Sequence, residues 1–126
     1  MRRVVVESPY RGDARLAGGR DQARNVKYAR ECIKDSLDRG EAPIASHLLY
    51  TQEGVLDDND PAERDTGIYA GHLWIEVADA VVLYLDHGLS SGMDAAVAVA
   101  YELGIPVERR RLAVHSLADC DCTGPL

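Results

Sequence analysis

The sequence predicts an α/β fold, a three-layer Rossmann-like sandwich around a mostly parallel sheet of about four or five strands. Three observations predict it. Short β-branched runs alternate with longer segments of helical period, and glycine or proline punctuates the boundaries. The run Ala80-Val81-Val82-Leu83-Tyr84-Leu85 is almost unbroken apolar sequence, the composition of a strand covered on both faces. The resulting order βαβαβαβ closes by right-handed crossovers into a parallel sheet with helices on both sides.

The first strand is Val4-Val5-Val6, ended by the loop Ser8-Pro9-Tyr10-Arg11-Gly12. A helix follows from about Asp21 to Arg39: Val26, Ala29, Ile33 and Leu37 recur at three- and four-residue steps, and Gly40 stands where a C-cap belongs. A second apolar run, Pro43 to Tyr50, puts His47 at the end of the second strand and leads into an acid-rich stretch from Thr51 to Asp60. Asp60-Pro61-Ala62-Glu63 combines a capping acid, proline at the first helical position and glutamate three residues after the cap, which starts a helix running to about Val77. Ala70, Leu73, Trp74 and Val77 form its expected apolar face, while Gly67 and Gly71 allow another backbone to pack close. After the central strand come the loop Asp86 to Gly92, an alanine-rich helix Met93 to Leu103 closed by Gly104, and a last strand opening at Ile105-Pro106-Val107. Residues 1–112 are therefore expected to form the domain and residues 113–126 a C-terminal tail.

A length of 126 residues suits a single domain, and 46% hydrophobic with 28% charged residues is the balance of a soluble globular protein. No apolar run approaches the ~20 residues of a membrane helix. Lys+Arg 14 against Asp+Glu 21 gives a net charge of -7, which opposes a polyanionic partner, so neither nucleic acid nor a membrane is expected. Cys32, Cys120 and Cys122 are too few for a disulfide framework, and the valine run after Met1-Arg2-Arg3 is too short for a signal peptide; a cytoplasmic setting is expected. Cys120-Asp121-Cys122 lacks a second pair for zinc, and His47, His72, His87 and His115 lack metal spacing. With neither a Walker loop nor a three-glycine dinucleotide fingerprint, no metal or cofactor is expected. Tyr69, Trp74 and the alanine-rich helix offer more apolar surface than a small sheet covers, which points to a homodimer or higher homo-oligomer.

Ligands of such sheets bind at the carboxyl ends of the strands, so the loops Ser8 to Gly12 and Asp86 to Gly92 are the candidates. Ser90-Ser91-Gly92 opens a helix, where bare N–H groups and the positive helix end favour an anion; Ser90 or Ser91 serves equally well as a plain N-cap. Tyr10 is suited to stacking on a base or sugar and Arg11 to holding a phosphate by a bidentate contact, or the pair is simply a turn with a surface arginine. Cleavage of a glycosidic bond passes through a cationic sugar and calls for a carboxylate beside the anomeric carbon. Asp86 and Asp94 are the candidates, each with a structural alternative as loop acceptor or first-turn acid. Glu63 is read first as the capping-box residue, and Arg64 either projects toward the crevice or pairs with a nearby acid.

The order and spacing of Ser8-Pro9-Tyr10-Arg11-Gly12, Ala42-Pro43-Ile44-Ala45-Ser46-His47, Glu63-Arg64 with Gly67-Ile68, Trp74 through Ala78-Asp79, and Ser90-Ser91-Gly92-Met93 with Gly104-Ile105-Pro106-Val107 carry a family resemblance. Over residues 3–112 the chain resembles the nucleoside 2-deoxyribosyltransferase-like superfamily, which includes deoxynucleoside-monophosphate N-glycosidases, and looks most like its small, often phage-encoded members. The resemblance implies a Rossmann-like fold, usually dimeric or higher, and a small-molecule nucleoside or nucleotide held between the first-strand loop and the loop before the last long helix. It sets Tyr10 near sugar or base and Ser90 where the glycosidase branch has a phosphate-contacting serine. The family's catalytic glutamate, four residues after the loop glycine, falls on Ala96; its supporting aspartate, three residues before the helix tryptophan, falls on Gly71. The expected activity is hydrolysis or deoxyribosyl transfer at an N-glycosidic bond, with Asp94 or Asp86 stabilising the sugar cation. Ser8, Tyr10, Arg11, Gly12, Glu63, Arg64, Ser90, Ser91, Gly92 and Met93 would surround the ligand. The alternative is a non-catalytic binder of a nucleotide or nucleotide-derived signal that has lost those carboxylates.

Overall fold

Strand β1 spans Arg3–Glu7, helix α1 Gly18–Asp38, strand β2 Ala42–Ile44, helix α2 Ser46–Leu49, helix α3 Pro61–Ile75, strand β3 Ala80–Tyr84, helix α4 Ser91–Leu103 and strand β4 Val107–Arg110. The computed structural model describes residues 1–10 and 18–112; the expected tail lies outside the described residues. The four strands form one all-parallel sheet in the order β2-β1-β3-β4, with Val5 opposite Ile44 on one side and Val81 on the other, and Val81 opposite Val107. This is the α/β sandwich that the alternation of patterns predicts.

Strand period divides the core in two. Val4 and Val6 of β1 join Tyr28 and Cys32 of α1 on one face, while Val5 packs with Ile75 of α3 and Met93, Ala96 and Ala100 of α4 on the other. Every residue of β3 is fully buried, which explains its unbroken apolar run. Gly104 closes α4 with φ 72, a left-handed cap that a residue with a Cβ rarely adopts.

Two helices present faces other than those expected. In α1 the expected Ala29 is buried and Ile33 packs against the core, but the rest of the buried stripe is Asn25, Tyr28, Cys32, Asp35 and Ser36, whereas Leu37 is 52% exposed. The stripe is rotated because its polar members are hydrogen-bonded inside: Asn25 Nδ2 donates to the Tyr10 carbonyl at 3.1 Å, and Ser36 Oγ to Glu41 Oε1 at 2.7 Å. In α3, Gly71 and Ile75 are buried while Leu73, Trp74 and Val77 stand partly in solvent. Gly71 is where α2 touches down, since a Cβ there would lie 2.4 Å from Ser46 Oγ. The second strand also stops earlier than expected, at Ile44, and His47 sits in α2.

At the amino ends of β1 and β2, Arg2 bridges Glu41 and Glu108, and Arg110 holds both Glu41 oxygens at 2.8 and 3.0 Å. Tyr84 Oη donates to Asp35 Oδ2 at 2.7 Å beside this network.

Candidate functional site

From β1 the chain moves outward to β2, and from β3 it moves the opposite way to β4, so the direction of winding reverses between β1 and β3. Outside the carboxyl ends of those two strands a doubly wound sheet has its natural crevice. A cavity of about 530 Å³ opens there, lined by the end of β1, by α2 and the loop after it, by α3 from Glu63 to His72 and by the first turn of α4. That volume lies within the range of about 300–1,000 Å³ usual for small-molecule sites.

The β1 end supplies Glu7, Ser8 and Tyr10. Glu7 follows Val5 on the α3/α4 side of the sheet by the two-residue period, and its backbone is held opposite Leu83. Burial pushes its carboxyl up to about 8. Ser8 Oγ and His47 Nε2 lie 3.0 Å apart, and the Tyr10 ring meets the His47 ring edge-on with centroids 6.1 Å apart. Burial lowers His47 to about 4, so its ring is neutral near pH 7, and its Nδ1 is buried with no partner among the described residues. A neutral imidazole has one donor and one acceptor nitrogen, and the Ser8 hydroxyl accommodates either arrangement.

Helix α3 contributes Glu63, Arg64 and His72. Asp60 is its N-cap, accepting from the Ala62 and Glu63 amides at 2.9 and 3.3 Å. Glu63 does not complete the expected capping box; its Oε1 accepts instead from the Asp57 amide at 2.9 Å, pinning the acidic loop over the cavity rim. Arg64 pairs with Asp58 of that loop at 3.7 Å. Burial lowers the pKa of His72.

Helix α4 begins at Ser91, with Ser90 as its N-cap. The Ser90 hydroxyl accepts from the Met93 amide at 3.2 Å, and the Ser90 amide donates to Met93 Sδ at 3.4 Å. The capping role foreseen for Ser90 is thus realised, and the first-turn amides of Ser91 and Gly92, which have no intrahelical acceptor, line the cavity.

Eight of the residues expected around a ligand therefore converge: Ser8, Tyr10, Glu63, Arg64, Ser90, Ser91, Gly92 and Met93 all line one cavity. Arg11 and Gly12 lie outside the described residues. The two expected catalytic acids are not brought there. Asp86 faces α1, accepting from Tyr28 Oη at 2.6 Å and from the Leu112 amide at 3.1 Å, which makes it a clamp between β3, α1 and the end of β4. Asp94 is exposed in the first turn of α4, and it is Ala95 beside it that reaches the cavity. Ala96, the position to which the resemblance assigns a catalytic glutamate, is fully buried in the core on the α3/α4 side of the sheet.

The sequence pattern ends the first strand at Val6 and leaves Glu7 out of the candidate residues, whereas β1 runs one residue further, to Glu7. Its signal was available all the same: an acid in the last position of a buried strand, on the strand's ligand-facing edge. Among the described residues no group of three or more His, Cys, Asp or Glu is placed to hold a metal ion, and no helix is long and apolar enough to cross a membrane.

Fold and cavity together define a small doubly wound α/β domain with an open cavity at its topological switch point. Residues 2–110 match the family described as "Domain of unknown function (DUF7768)", and the chain belongs to that family. No curated protein sequence matches it. Among solved structures, the chain is similar to a 2-deoxyribosyltransferase from the psychrotolerant bacterium Bacillus psychrosaccharolyticus, at 18% identity and a TM-score of 0.59, covering 85% of this chain and 70% of that one. At that identity the likeness speaks for the fold. That enzyme is described as a biocatalyst for the synthesis of antiviral and antitumoral nucleosides.

Proposed function

We propose that this domain binds a nucleoside or nucleotide in the β1–β3 cavity and acts at its N-glycosidic bond, by hydrolysis or deoxyribosyl transfer. One observation carries the reading: a cavity of nucleoside size at the switch point joins an aromatic ring, a half-buried carboxyl whose pKa is raised and a helix-opening turn with bare amides. The similarity to a deoxyribosyltransferase fold supports it. In this reading Tyr10 packs against sugar or base, and Ser8 with His47 meets the sugar hydroxyls. The turn Ser90 to Met93 with Arg64 receives an anionic group where the ligand has one. The reacting acid comes from the carboxyls lining the cavity rather than from Asp86 or Asp94.

Incubating the protein with 2′-deoxynucleosides, ribonucleosides and their 5′-monophosphates, and following free base by chromatography, tests the reading. Release of base from at least one of them is the expected result. Retained binding without release from any would leave a binding protein in place of an enzyme.

We also propose that the protein self-associates along the β2 edge. Leu37, Trp74 and Val77 are 52%, 44% and 59% exposed and border one shallow groove with Pro43 and Ile44. Light scattering at micromolar concentration is expected to give a dimer, and Val77→Arg to return the monomer mass; a monomeric wild type sinks this proposal.

A further inference from the structure

We propose, on the strength of the functional reading above, that Glu7 is the acid that hands a proton to the departing base. Its place in the fold makes it rigid: the backbone is paired with Leu83 in the middle of the sheet, and the side chain faces the cavity beside Ser8, His47 and the α4 turn. No hydrogen bond or ion pair from the described residues engages its carboxyl. The other nearby acids are committed elsewhere. Glu63 holds the Asp57 amide, Asp58 pairs with Arg64, and Asp86 holds Tyr28 and Leu112 on the opposite face of the sheet.

Its surroundings also decide which role Glu7 can take. Burial, with no compensating cation among the described residues, keeps the carboxyl protonated at neutral pH, and a neutral acid donates a proton but is a poor nucleophile. As the bond from the anomeric carbon to the base nitrogen breaks, its electron pair goes to the base. The Glu7 proton moves to a ring nitrogen or carbonyl oxygen of the base, so that the base leaves neutral. The positive charge left on the sugar is shared between the anomeric carbon and the ring oxygen. Water then adds to that carbon and gives a proton back to the Glu7 carboxylate, so the net change is nucleoside plus water to base plus sugar. In this scheme Glu7 acts first as acid and then as base.

The test is Glu7→Gln, which keeps size and polarity but carries no transferable proton. With the nucleoside cleaved by the wild type, kcat is expected to fall about 10²–10⁴-fold, the usual worth of a positioned acid, while ligand-induced thermal stabilisation is unchanged. With 4-nitrophenyl riboside, whose leaving group departs as a stable phenolate without a proton, E7Q is expected to retain most of the wild-type rate. A merely structural Glu7 would lower both rates together. Equal losses on the two substrates, or an E7Q protein that releases base as fast as wild type, overturn the assignment while leaving the site's function intact. A wild-type protein that releases base from no nucleoside overturns the functional reading and this assignment with it.

Discussion

Glu41→Ala is expected to destabilise the protein by about 3–5 kcal/mol, the usual consequence of leaving a buried charge without its partner. Glu41 is 6% exposed and receives Arg110, Arg2 and Ser36 at once. Arg110, whose side chain is 9% exposed, would keep only Glu108 and the Tyr84 hydroxyl. Against a typical total of about 5–15 kcal/mol this loss brings a small domain near its unfolding threshold. Urea denaturation measures it, and a loss under about 1 kcal/mol would show that the network is solvated and contributes little. The same contact sets an acid limit. The Arg110 hydrogen bonds hold Glu41 at about 2, below its ordinary 4.5, so the folded state releases this proton more readily than the unfolded chain. Its stabilisation, about 3 kcal/mol for that displacement, is complete above pH 4.5 and is lost as pH falls from there toward 2. In Glu41→Gln, which has the same shape without the charge, the stability curve should be flatter across that window.

Stability is expected to fall at the other end of the pH scale through Glu7. Here the folded pKa is raised, from 4.5 to about 8, so between those values the folded state holds a proton that the unfolded chain has lost. The folded state is therefore favoured less and less as pH rises from 4.5, and the decline levels off above 8. Full displacement corresponds to an upper bound of about 5 kcal/mol, reduced because the side chain borders an open cavity. Glu7→Gln, neutral at every pH, should match wild type near pH 5 and melt at a higher temperature above pH 8. Thermal melts from pH 5 to 9 check this, and a wild-type melting temperature that does not decline across the range contradicts it. A substitution that stabilises the fold while removing activity is the pattern expected where a buried acid is kept for chemistry.

These two acids mark the limit of what could be read from the chain. Both are ordinary glutamates at the ends of apolar strand sequence, Glu41 before Ala42 and Glu7 after Val6, and nothing local shows which of them meets a cation. One meets two arginines that are 39 and 69 positions away, while the other meets no cation among the described residues, and so their pKa values move in opposite directions. The helix faces tell the same story. Leu37, Trp74 and Val77 satisfy an apolar period yet stand partly in solvent, because Asn25, Ser36 and Gly71 take the inner positions through hydrogen bonds and close approach.

Apart from α2, whose residues carry a strand-like apolar run, the succession of strands and helices, their parallel arrangement and most of their ends followed from local pattern: β-branched runs, a proline at the first turn of α3, a glycine closing α4. Such signals act within a few residues, and steric and hydrogen-bonding rules at that range do not depend on the rest of the molecule. The loops on either side of the cavity could likewise be named in advance, since winding order alone sends ligands to the strands' carboxyl ends. Which acid faces that cavity, that His47 is neutral with a bare nitrogen, and that Asp86 and Asp94 stand outside it were settled by folding, because charge and burial depend on residues brought together from distant parts of the chain.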